Sequence, residues 1–305
     1  MTAEPGFGGT GLDPTWVHDL VSRALAEDLG APAGGPYAGR DVTSEATIRA
    51  DQVDTADLIA RAPGVVAGLP VALAVFLTCC PEADIRMVHG DGQLVQRGDV
   101  LATLTAATQG LLAAERTALN LLNRTSGIAT LTHAWVTAVA GTGVRILDTR
   151  KTTPGLRMLE KYAVRVGGGQ NKRMGLHDVA MIKDNHVLAA GGVVAAISRV
   201  RQFFPDIPLE VEVTSVEMAR DAVHAGATFL MCDNLAPDSL REVVQAVAGR
   251  AELEATGGLT LDLAPEYAQT GVNYLSVGAL THSAPILDIA LDLRRPGSAA
   301  PQGGG

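Results

Sequence analysis

Short apolar segments that end in polar residues recur through the second half of the chain, and a stretch with helical spacing follows each of them. Four of these segments begin at residues 209, 228, 252 and 274, so that they lie about twenty residues apart. This interval is close to the shortest in which a chain can form a strand, a helix and the return to a parallel neighbour. The repeat therefore predicts β-α units around a parallel sheet, and it favours an α/β barrel over a β-sandwich.

The apolar pattern predicts the individual elements of both halves. In the second half, the predicted strands are 144–148, 179–183, 209–213, 228–232, 252–255 and 274–277. In the first half, we predict helices at 14–29, 69–80 and 111–140, with a break at Gly127, and strands at 53–61, 85–89 and 100–104. Residues 30–40 are predicted to form a loop. The long third helix carries the chain from a first domain into a second, with a boundary near residues 110–125.

Composition excludes several classes of protein. The net charge of −9 and an aromatic content of 4% argue against nucleic-acid binding. The sequence has no apolar run long enough to span a membrane and no signal peptide, so we expect a cytoplasmic protein. The cysteines Cys79, Cys80 and Cys232 have no metal-ligand spacing and are interpreted as reduced thiols of the core.

All four lysines lie between residues 151 and 183, whereas the 20 arginines are spread along the whole chain. Residues 145–184 carry nine basic and four acidic side chains, a local excess that opposes the sign of the whole chain. This pattern predicts a pocket for an anionic small molecule. The alternative is a solvated charged face, which the interleaved Gly, Thr and Asn residues make the weaker interpretation.

Polar residues follow every predicted strand of the second half. In α/β barrels the active site forms at the carboxyl ends of the strands, so these residues are the candidate site. Glu212 and Asp233 follow neighbouring strands, where carboxylates either chelate Mg²⁺, hold sugar hydroxyls or stabilise a developing positive charge. The alternative for both acids is a structural ion pair with Arg150 or Arg173.

Glycines close the last two strand ends. Gly257, Gly258 and Gly278 precede helices, in the position where such barrels bind phosphate. The run at 167–169 instead follows a helical pattern and is interpreted as a helix end, which makes a nicotinamide cofactor improbable. Lys161 lies within that helical pattern and is predicted to be structural. Scattered histidines make a histidine-bound metal improbable, and His186 is left open between contact with a leaving group and a structural role.

Several motifs together resemble the quinolinate phosphoribosyltransferase family, the decarboxylating type II phosphoribosyltransferases. They are 148–155 (DTRKTTPG), 161–165 (KYAVR), 183–186 (KDNH), 115–116 (ER), 118–120 (ALN), 126–129 (SGIA), 210–213 (EVEV), 233–234 (DN) and 277–281 (VGALT). The resemblance covers residues 13–293. It implies that the pyridine nitrogen of quinolinate is joined to C1 of 5-phosphoribosyl-1-pyrophosphate, with loss of pyrophosphate and CO₂ and with Mg²⁺ as cofactor.

The resemblance also implies roles for individual residues. The quinolinate carboxylates would be held by Arg116, Arg150, Arg173 and Lys183, with Thr149 and Lys172 nearby. The remaining substrate contacts would be Lys151 at the pyrophosphate, Glu212 and Asp233 at the ribose and its metal, Thr256, and Gly257, Gly258, Gly278 and Ala279 around the 5-phosphate. Lys151, Lys183, Glu212 and Asp233 are the predicted catalytic residues.

The implied fold is an N-terminal α/β sandwich at 13–120, followed by an open α/β barrel of six or seven parallel strands at 121–293. Disordered tails are predicted at 1–12 and 294–305. The implied assembly is a homodimer in which Arg116 acts across the interface in the partner's site.

Two positions depart from the family pattern: Lys172 replaces a usual His, and Thr256 replaces a usual Ser. Thr256 keeps the hydroxyl, whereas Lys172 adds a fixed charge. The alternatives are a paralogue that phosphoribosylates another pyridine carboxylate, which Lys172 alone favours, and a non-catalytic anion-binding homologue. A Schiff-base lyase using Lys183 is a third, but it leaves the glycine-rich strand ends and Arg116 unexplained.

Overall fold

The structure, a computed structural model, describes residue 7, residues 9–30 and residues 35–294. The chain divides into two compact units, one of residues 1–130 with 285–305 and the other of residues 131–284. Most of the two predicted tails, and residues 31–34 of the predicted loop, lie outside the described residues.

The first unit combines helices with an antiparallel sheet. Its elements along the chain are α1 (Pro14–Leu29), α2 (Val42–Thr47), β1 (Val53–Ala60), β2 (Gly64–Val65), α3 (Leu69–Cys79), β3 (Asp84–Met87), β4 (Leu94–Val95), β5 (Val100–Ala107) and α4 (Thr108–Ala138), the last of which continues into the second unit. Asp13 caps α1 by accepting a hydrogen bond from the backbone N–H of Thr15 at 2.8 Å. Helix α3 is strongly apolar and most of its residues are buried, so it belongs to this unit's core.

The second unit contains the predicted β-α repeats. Its elements are β6 (Arg145–Leu147), α5 (Arg157–Val166), β7 (Ala180–Ile182), α6 (Asp184–Ala190), α7 (Val193–Phe203), β8 (Leu209–Val213), α8 (Val216–His224), β9 (Phe229–Asp233), α9 (Pro237–Val247), β10 (Glu252–Thr256), a 3₁₀ helix (Leu261–Leu263), α10 (Ala264–Ala268), β11 (Tyr274–Ser276) and α11 (Ala279–His282). Each predicted strand of this half is confirmed to within two residues of its bounds.

The six strands of the second unit pair in the order β6-β11-β10-β9-β8-β7. All their pairings are parallel, and β6 and β7 lie at the two edges without pairing to each other in the described residues. This is the predicted open α/β barrel of six strands. In the parallel register, Met231 on β9 lies beside Glu212 on β8 and Glu254 on β10. Inward-facing side chains of neighbouring strands therefore form layers across the barrel.

A strand that the sequence did not predict, β12 (Ile289–Leu293), belongs to the first unit. It pairs antiparallel with β1 in the sheet β12-β1-β5-β3. The described part of 285–305 thus packs with the first unit, whereas the predicted barrel domain ran to residue 293. The division of the chain falls at 130/131, inside α4, rather than at the predicted 120/121.

The predicted helix break at Gly127 is wrong, because α4 runs through it without interruption. An added Cβ at Gly127 would overlap the carbonyl oxygen of Pro285 and lie 2.8 Å from the Cα of Ile286. The glycine therefore permits the segment before β12 to approach the helix closely, and that close contact stabilises α4 where glycine alone would weaken it.

Candidate active site

A cavity of about 670 Å³ opens at the carboxyl ends of the barrel strands. The predicted site residues that belong to the barrel unit all line it, namely Thr149, Arg150, Lys151, Lys172, Arg173, Lys183, Glu212, Asp233, Thr256, Gly257, Gly258, Gly278 and Ala279. These residues lie at the ends of six different strands or in the loop before β7. The topology of the barrel therefore brings them together. Arg116, the remaining predicted residue, is exposed on α4 in the first unit.

Cations come to the cavity from two neighbouring loops. Arg150 and Lys151 follow β6, and Thr149 shapes this turn by accepting a hydrogen bond from the backbone N–H of Lys151 at 3.1 Å. Arg173 lies in the loop between α5 and β7, where burial first and the charge of Arg150 second lower the pKa of its guanidinium. Its Nε atom is buried without a hydrogen bond among the described residues. A bound carboxylate would supply the missing acceptor.

The two predicted acids lie at the ends of adjacent strands. Glu212 Oε2 lies 3.0 Å from the Nζ of Lys183, which follows the neighbouring strand β7. In the described residues, Glu212 forms its ion pair with Lys183 and none with Arg150 or Arg173. The alternative of a structural ion pair between Glu212 and one of these arginines is therefore not supported. Asp233 accepts a hydrogen bond from the Nδ2 of Asn234 at 2.8 Å. One acid is thus held by a cation of the cavity and the other by a neutral amide.

Two glycines after β10 have backbone conformations that other residues rarely adopt. Gly257 has φ of +90° and Gly258 has φ of +62°. A Cβ on Gly257 would lie 2.9 Å from the backbone nitrogen of Asn234. The backbone of this turn is therefore exposed to the cavity at a point where only glycine fits. Gly278 precedes α11 at the next strand end, beside the side chain of Lys151.

A buried network beneath the cation loops fixes their positions. Lys161 of α5 forms an ion pair with Asp148, the residue before Thr149, and neither side chain has any exposed surface. Asp148 also accepts hydrogen bonds from the Nδ2 of Asn171 at 2.6 Å and from the backbone N–H of Lys172 at 2.9 Å. Burial raises the pKa of Asp148, and the charge of Lys161 opposes that rise. The prediction that Lys161 is structural is confirmed.

Helix α5 contributes two more side chains to this support. Glu160 and Lys161 lie three and four residues after Arg157, so the three side chains share one side of the helix. Arg157 donates to the carbonyl oxygens of Met174 at 2.9 Å and Arg150 at 3.3 Å, and so joins the two cation loops. Glu160 is fully buried and accepts hydrogen bonds from the backbone N–H and the hydroxyl of Thr153. Both loops therefore depend on one face of a single helix.

Several lining residues were not predicted: Met181, Met231, Glu254, Leu259, Ser276, Val277 and His282. Most of them lie on strands, and alternation along a strand was the available signal, since Glu254 lies two residues before Thr256 and faces the same side. His186 does not line the cavity. Its Nδ1 accepts a hydrogen bond from the backbone N–H of Lys183 at 2.9 Å, so the structural interpretation of His186 is the one the fold supports.

The described part of the chain contains three free cysteines, but no membrane-spanning helix and no metal-binding cluster. No helix there is long and apolar enough to cross a membrane. No group of three or more His, Cys, Asp or Glu side chains in that part of the chain is arranged to hold a metal ion. All three cysteines are free, as predicted, and burial raises the pKa of Cys79 to about 11 and of Cys232 to about 12. Cys80 and Cys232 are buried and Cys79 is half-buried, and the raised pKa values of Cys79 and Cys232 make those two thiols poor nucleophiles.

The fold and the cavity define an α/β-barrel enzyme for anionic small molecules. Models of the quinolinate phosphoribosyl transferase N-terminal and C-terminal domains match residues 41–126 and 128–292, respectively. The chain belongs to the quinolinate phosphoribosyl transferase family. Its open barrel and N-terminal sheet unit are the fold that the sequence motifs implied.

Similar proteins and solved structures agree with this assignment. The chain is 49% identical to a nicotinate-nucleotide pyrophosphorylase (carboxylating) of Mycobacterium leprae (strain TN), over 91% of this chain and 97% of that protein. It is 40% identical to a probable enzyme of the same name from Bacillus subtilis (strain 168), over 91% and 93%. The structure of NadC from Streptococcus pyogenes superposes with a TM-score of 0.86 at 36% identity and covers 93% of this chain and 99% of that one.

Proposed function

We propose that this protein transfers the phosphoribosyl group of 5-phosphoribosyl-1-pyrophosphate to quinolinate, and forms nicotinate mononucleotide, pyrophosphate and CO₂ for NAD biosynthesis. The relatives that match both units of the chain carry the name of this activity. The observation that carries the proposal is the cavity itself, in which two cation-bearing loops, two carboxylates and a glycine turn meet. Two polyanionic substrates require such a concentration of positive charge.

We assign the charged residues to the two substrates from the family resemblance, and the chemistry of the side chains supports the assignment. Arg150 and Arg173 present planar forks that suit the carboxylates of quinolinate, and Lys183 adds a point charge. Lys151 is assigned to the pyrophosphate. The turn at Gly257 and Gly258, with Gly278 and Ala279, is assigned to the 5-phosphate, because exposed backbone N–H groups bind phosphate oxygens.

The proposed reaction has two steps, and each depends on a positive charge, first at the ribose and then at the ring nitrogen. The lone pair of the pyridine nitrogen forms the bond to C1 of the ribose as the bond from C1 to the pyrophosphate oxygen breaks, and pyrophosphate leaves with that electron pair. Glu212 and Asp233 stabilise the positive charge that develops at the ribose. The ring nitrogen is positive in the product, so the bond from C2 to its carboxylate breaks with the electron pair remaining on C2. CO₂ leaves, and C2 takes a proton from water.

Mg²⁺ is proposed as the cofactor, with Glu212 and Asp233 as its protein ligands. Mg²⁺ commonly takes one or two carboxylates from the protein, and fills its other positions with water and substrate phosphate oxygens. Two adjacent acids without a third ligand fit this mode of binding better than an all-protein cage. When bound, the ion would neutralise charge on the pyrophosphate.

A homodimer is also proposed, in which Arg116 serves the partner's site. Support comes from the family pattern and from the exposure of Arg116 on α4. A cytoplasmic location is proposed from the three free cysteines, since reduced thiols are usual in that compartment.

The direct test is turnover by the purified protein. Quinolinate, 5-phosphoribosyl-1-pyrophosphate and Mg²⁺ are supplied, and loss of quinolinate is measured together with release of CO₂. Equal amounts of nicotinate in place of quinolinate test the alternative of a different pyridine carboxylate. We expect turnover with quinolinate, none with nicotinate, and none after chelation of Mg²⁺. Turnover with nicotinate alone would contradict the proposed substrate.

A further inference from the structure

Lys172 enters the cavity from the loop before β7 and ends among acidic side chains of the barrel interior. Its Nζ lies 2.5 Å from the Oε2 of Glu254 and 3.2 Å from the Oε2 of Glu210. It also lies 2.9 Å from the sulfur of Met231. An ammonium group has three donors. Hydrogen bonds to Glu254 and Met231 use two of them, and Glu210 contributes an ion pair without hydrogen-bond geometry. The side chain of Lys172 is only 8% exposed, and that of Glu254 is 1% exposed.

The three neighbours of Lys172 lie on three consecutive strands, β8, β9 and β10. Side chains of a strand alternate between its two faces, so Glu210, Met231 and Glu254 share a face with the residues two positions further on. Those residues are Glu212, Asp233 and Thr256, which line the cavity. Met231 and Glu254 are level with Glu212 in the strand register, and Asp233 lies two residues further along β9. Lys172 therefore contacts the layer of Glu212, and its neighbours lie on both strands that carry the predicted catalytic acids.

The backbone of Lys172 is fixed as firmly as its side chain. Its N–H donates to Asp148 at 2.9 Å, and its carbonyl oxygen accepts from the Nζ of Lys161 at 3.1 Å. The residue thus connects the buried ion pair under the cation loops with the acidic layer of the barrel. Arg173 follows directly in the chain, and its guanidinium also donates to the carbonyl oxygen of Val179 at 3.2 Å.

Glu210 and Glu254 carry buried negative charge that the ammonium group of Lys172 balances. Glu210 Oε2 accepts no hydrogen bond of regular geometry from the described residues. Burial raises the pKa of Glu210, the charge of Lys172 opposes that rise, and the neighbouring Glu254 adds to it. Two buried carboxylates without a counter-ion would be strongly unfavourable. A quinolinate carboxylate would have to compete with both glutamates for the charge of the same ammonium group.

We infer that Lys172 is a positioning residue that closes the floor of the cavity through Glu210 and Glu254, and that it is not a ligand of the substrate carboxylates. This inference refines the proposed function and rests on it for the identity of the substrate. It revises the prediction that Lys172 binds substrate. Glu210 and Glu254 neutralise the positive charge that Lys172 adds. Substrate selectivity therefore depends on Arg150, Arg173 and Lys183.

The test is a double-mutant cycle on Lys172 and Glu254. Lys172→Met leaves both glutamates unpaired, whereas Lys172→Met with Glu254→Gln leaves one carboxylate, Glu210, facing the charge of Arg173. We expect Lys172→Met to raise the KM for quinolinate roughly 10-fold or more and to lower the melting temperature. The double variant should recover most of both losses, because the unpaired charge has been removed.

A matched control replaces another lysine of the cavity, Lys151→Met, with and without Glu254→Gln. No recovery is expected there, because Lys151 does not contact Glu254. If the KM for quinolinate stays raised in the Lys172→Met/Glu254→Gln variant, Lys172 binds the substrate directly and the inference is wrong. Absence of wild-type turnover would instead contradict the proposed function. In that case, thermal unfolding of the wild type, Lys172→Met, Glu254→Gln and the double variant still measures the coupling of Lys172 to Glu254, and additive effects would overturn the inference.

Discussion

Lys161 and Asp148 form an ion pair in which neither side chain exposes any surface, 13 residues apart in the chain and directly beneath the loop that carries Arg150 and Lys151. The pair also binds the backbone of Lys172 from both sides. One buried contact thus holds both cation loops of the cavity.

Replacing Lys161 should therefore affect stability first. Lys161→Met leaves Asp148 buried without its counter-ion, and the expected loss in the free energy of unfolding is about 3–5 kcal/mol. Lys151→Met is the matched control, because Lys151 is an exposed residue of the cavity rim. It should change the free energy of unfolding by less than about 0.5 kcal/mol while greatly reducing turnover. Urea unfolding and steady-state rates of both variants measure the contrast, and equal loss of stability in the two would contradict it.

For the contact of Lys183 with Glu212 we expect an effect on activity and little effect on stability, in contrast to Lys161. Lys183 is 49% exposed and the acid 10% exposed, so their ion pair contributes little to stability. Glu212→Gln keeps the shape of the side chain and removes the charge that is proposed to stabilise the ribose. We expect a fall in kcat of about 100-fold or more with an unchanged melting temperature. Glu217→Gln, on α8 outside the cavity, is the control and should leave both quantities unchanged. A kcat of Glu212→Gln close to that of the wild type would remove this acid from the proposed mechanism.

How far the sequence determines this picture differs from residue to residue. Strands β8 and β9 were predictable because each apolar run ends in a polar residue, and the barrel rule then assigned Glu212 and Asp233 to one rim. Lys161 was recognised as structural because it lies inside a helical pattern. In contrast, the pairing of Lys172 with Glu254 joins residues 82 positions apart, and no local pattern reports it.

Two errors in the first unit have the same physical origin. A glycine in a helical pattern signals a break only if nothing packs against it, and the sequence does not reveal that Pro285 approaches Gly127. Strand β12 was missed for a similar reason, since its partner β1 lies more than two hundred residues earlier in the chain. Local pattern predicts elements well, whereas contacts between distant segments decide how those elements are used.

Acid stability provides a test in the first unit. Burial would raise the pKa of Asp57, but hydrogen bonds from Arg294 and Thr103 hold it below its usual value. A lowered folded-state pKa stabilises the protein above the unfolded pKa, and this contribution is lost as the pH falls below about 4. Arg294→Ala should cost about 1–3 kcal/mol at pH 7, and its difference from the wild type should shrink as the pH falls from 5 to 2.

The control for that experiment is Arg61→Ala. Arg61 pairs with Asp292 in the same sheet, but both side chains are more than a third exposed. Its loss should be below about 1 kcal/mol at every pH. Chemical unfolding of the three proteins across the pH range measures the differences, and a constant cost of Arg294→Ala from pH 7 to pH 2 would show that Asp57 does not titrate as expected.

Comparing an alanine substitution in the glycine turn after β10 with one at another glycine of similar φ distinguishes backbone strain from loss of a binding surface. Gly257→Ala places a Cβ at φ of +90° and against Asn234, whereas Gly226→Ala has nearly the same φ of +91° and meets nothing within 4 Å. Each variant should lose about 1 kcal/mol from the strained backbone. Only Gly257→Ala should also raise the KM for 5-phosphoribosyl-1-pyrophosphate, because it displaces the proposed phosphate turn. Equal KM values in the two variants would remove this turn from the substrate site.

The proposed sharing of Arg116 between subunits is tested by complementation. Arg116→Ala and Lys183→Ala should each be nearly inactive alone. If Arg116 serves the partner's barrel, a mixed dimer of the two variants contains one site with both defects and one intact site. Random mixing gives half mixed dimers, so unfolding and refolding the two variants together should restore about a quarter of the wild-type rate. If Arg116 instead serves its own chain, every site carries one defect and no rate returns. Sedimentation of each refolded sample, which measures the dimer fraction, distinguishes failed complementation from failed assembly.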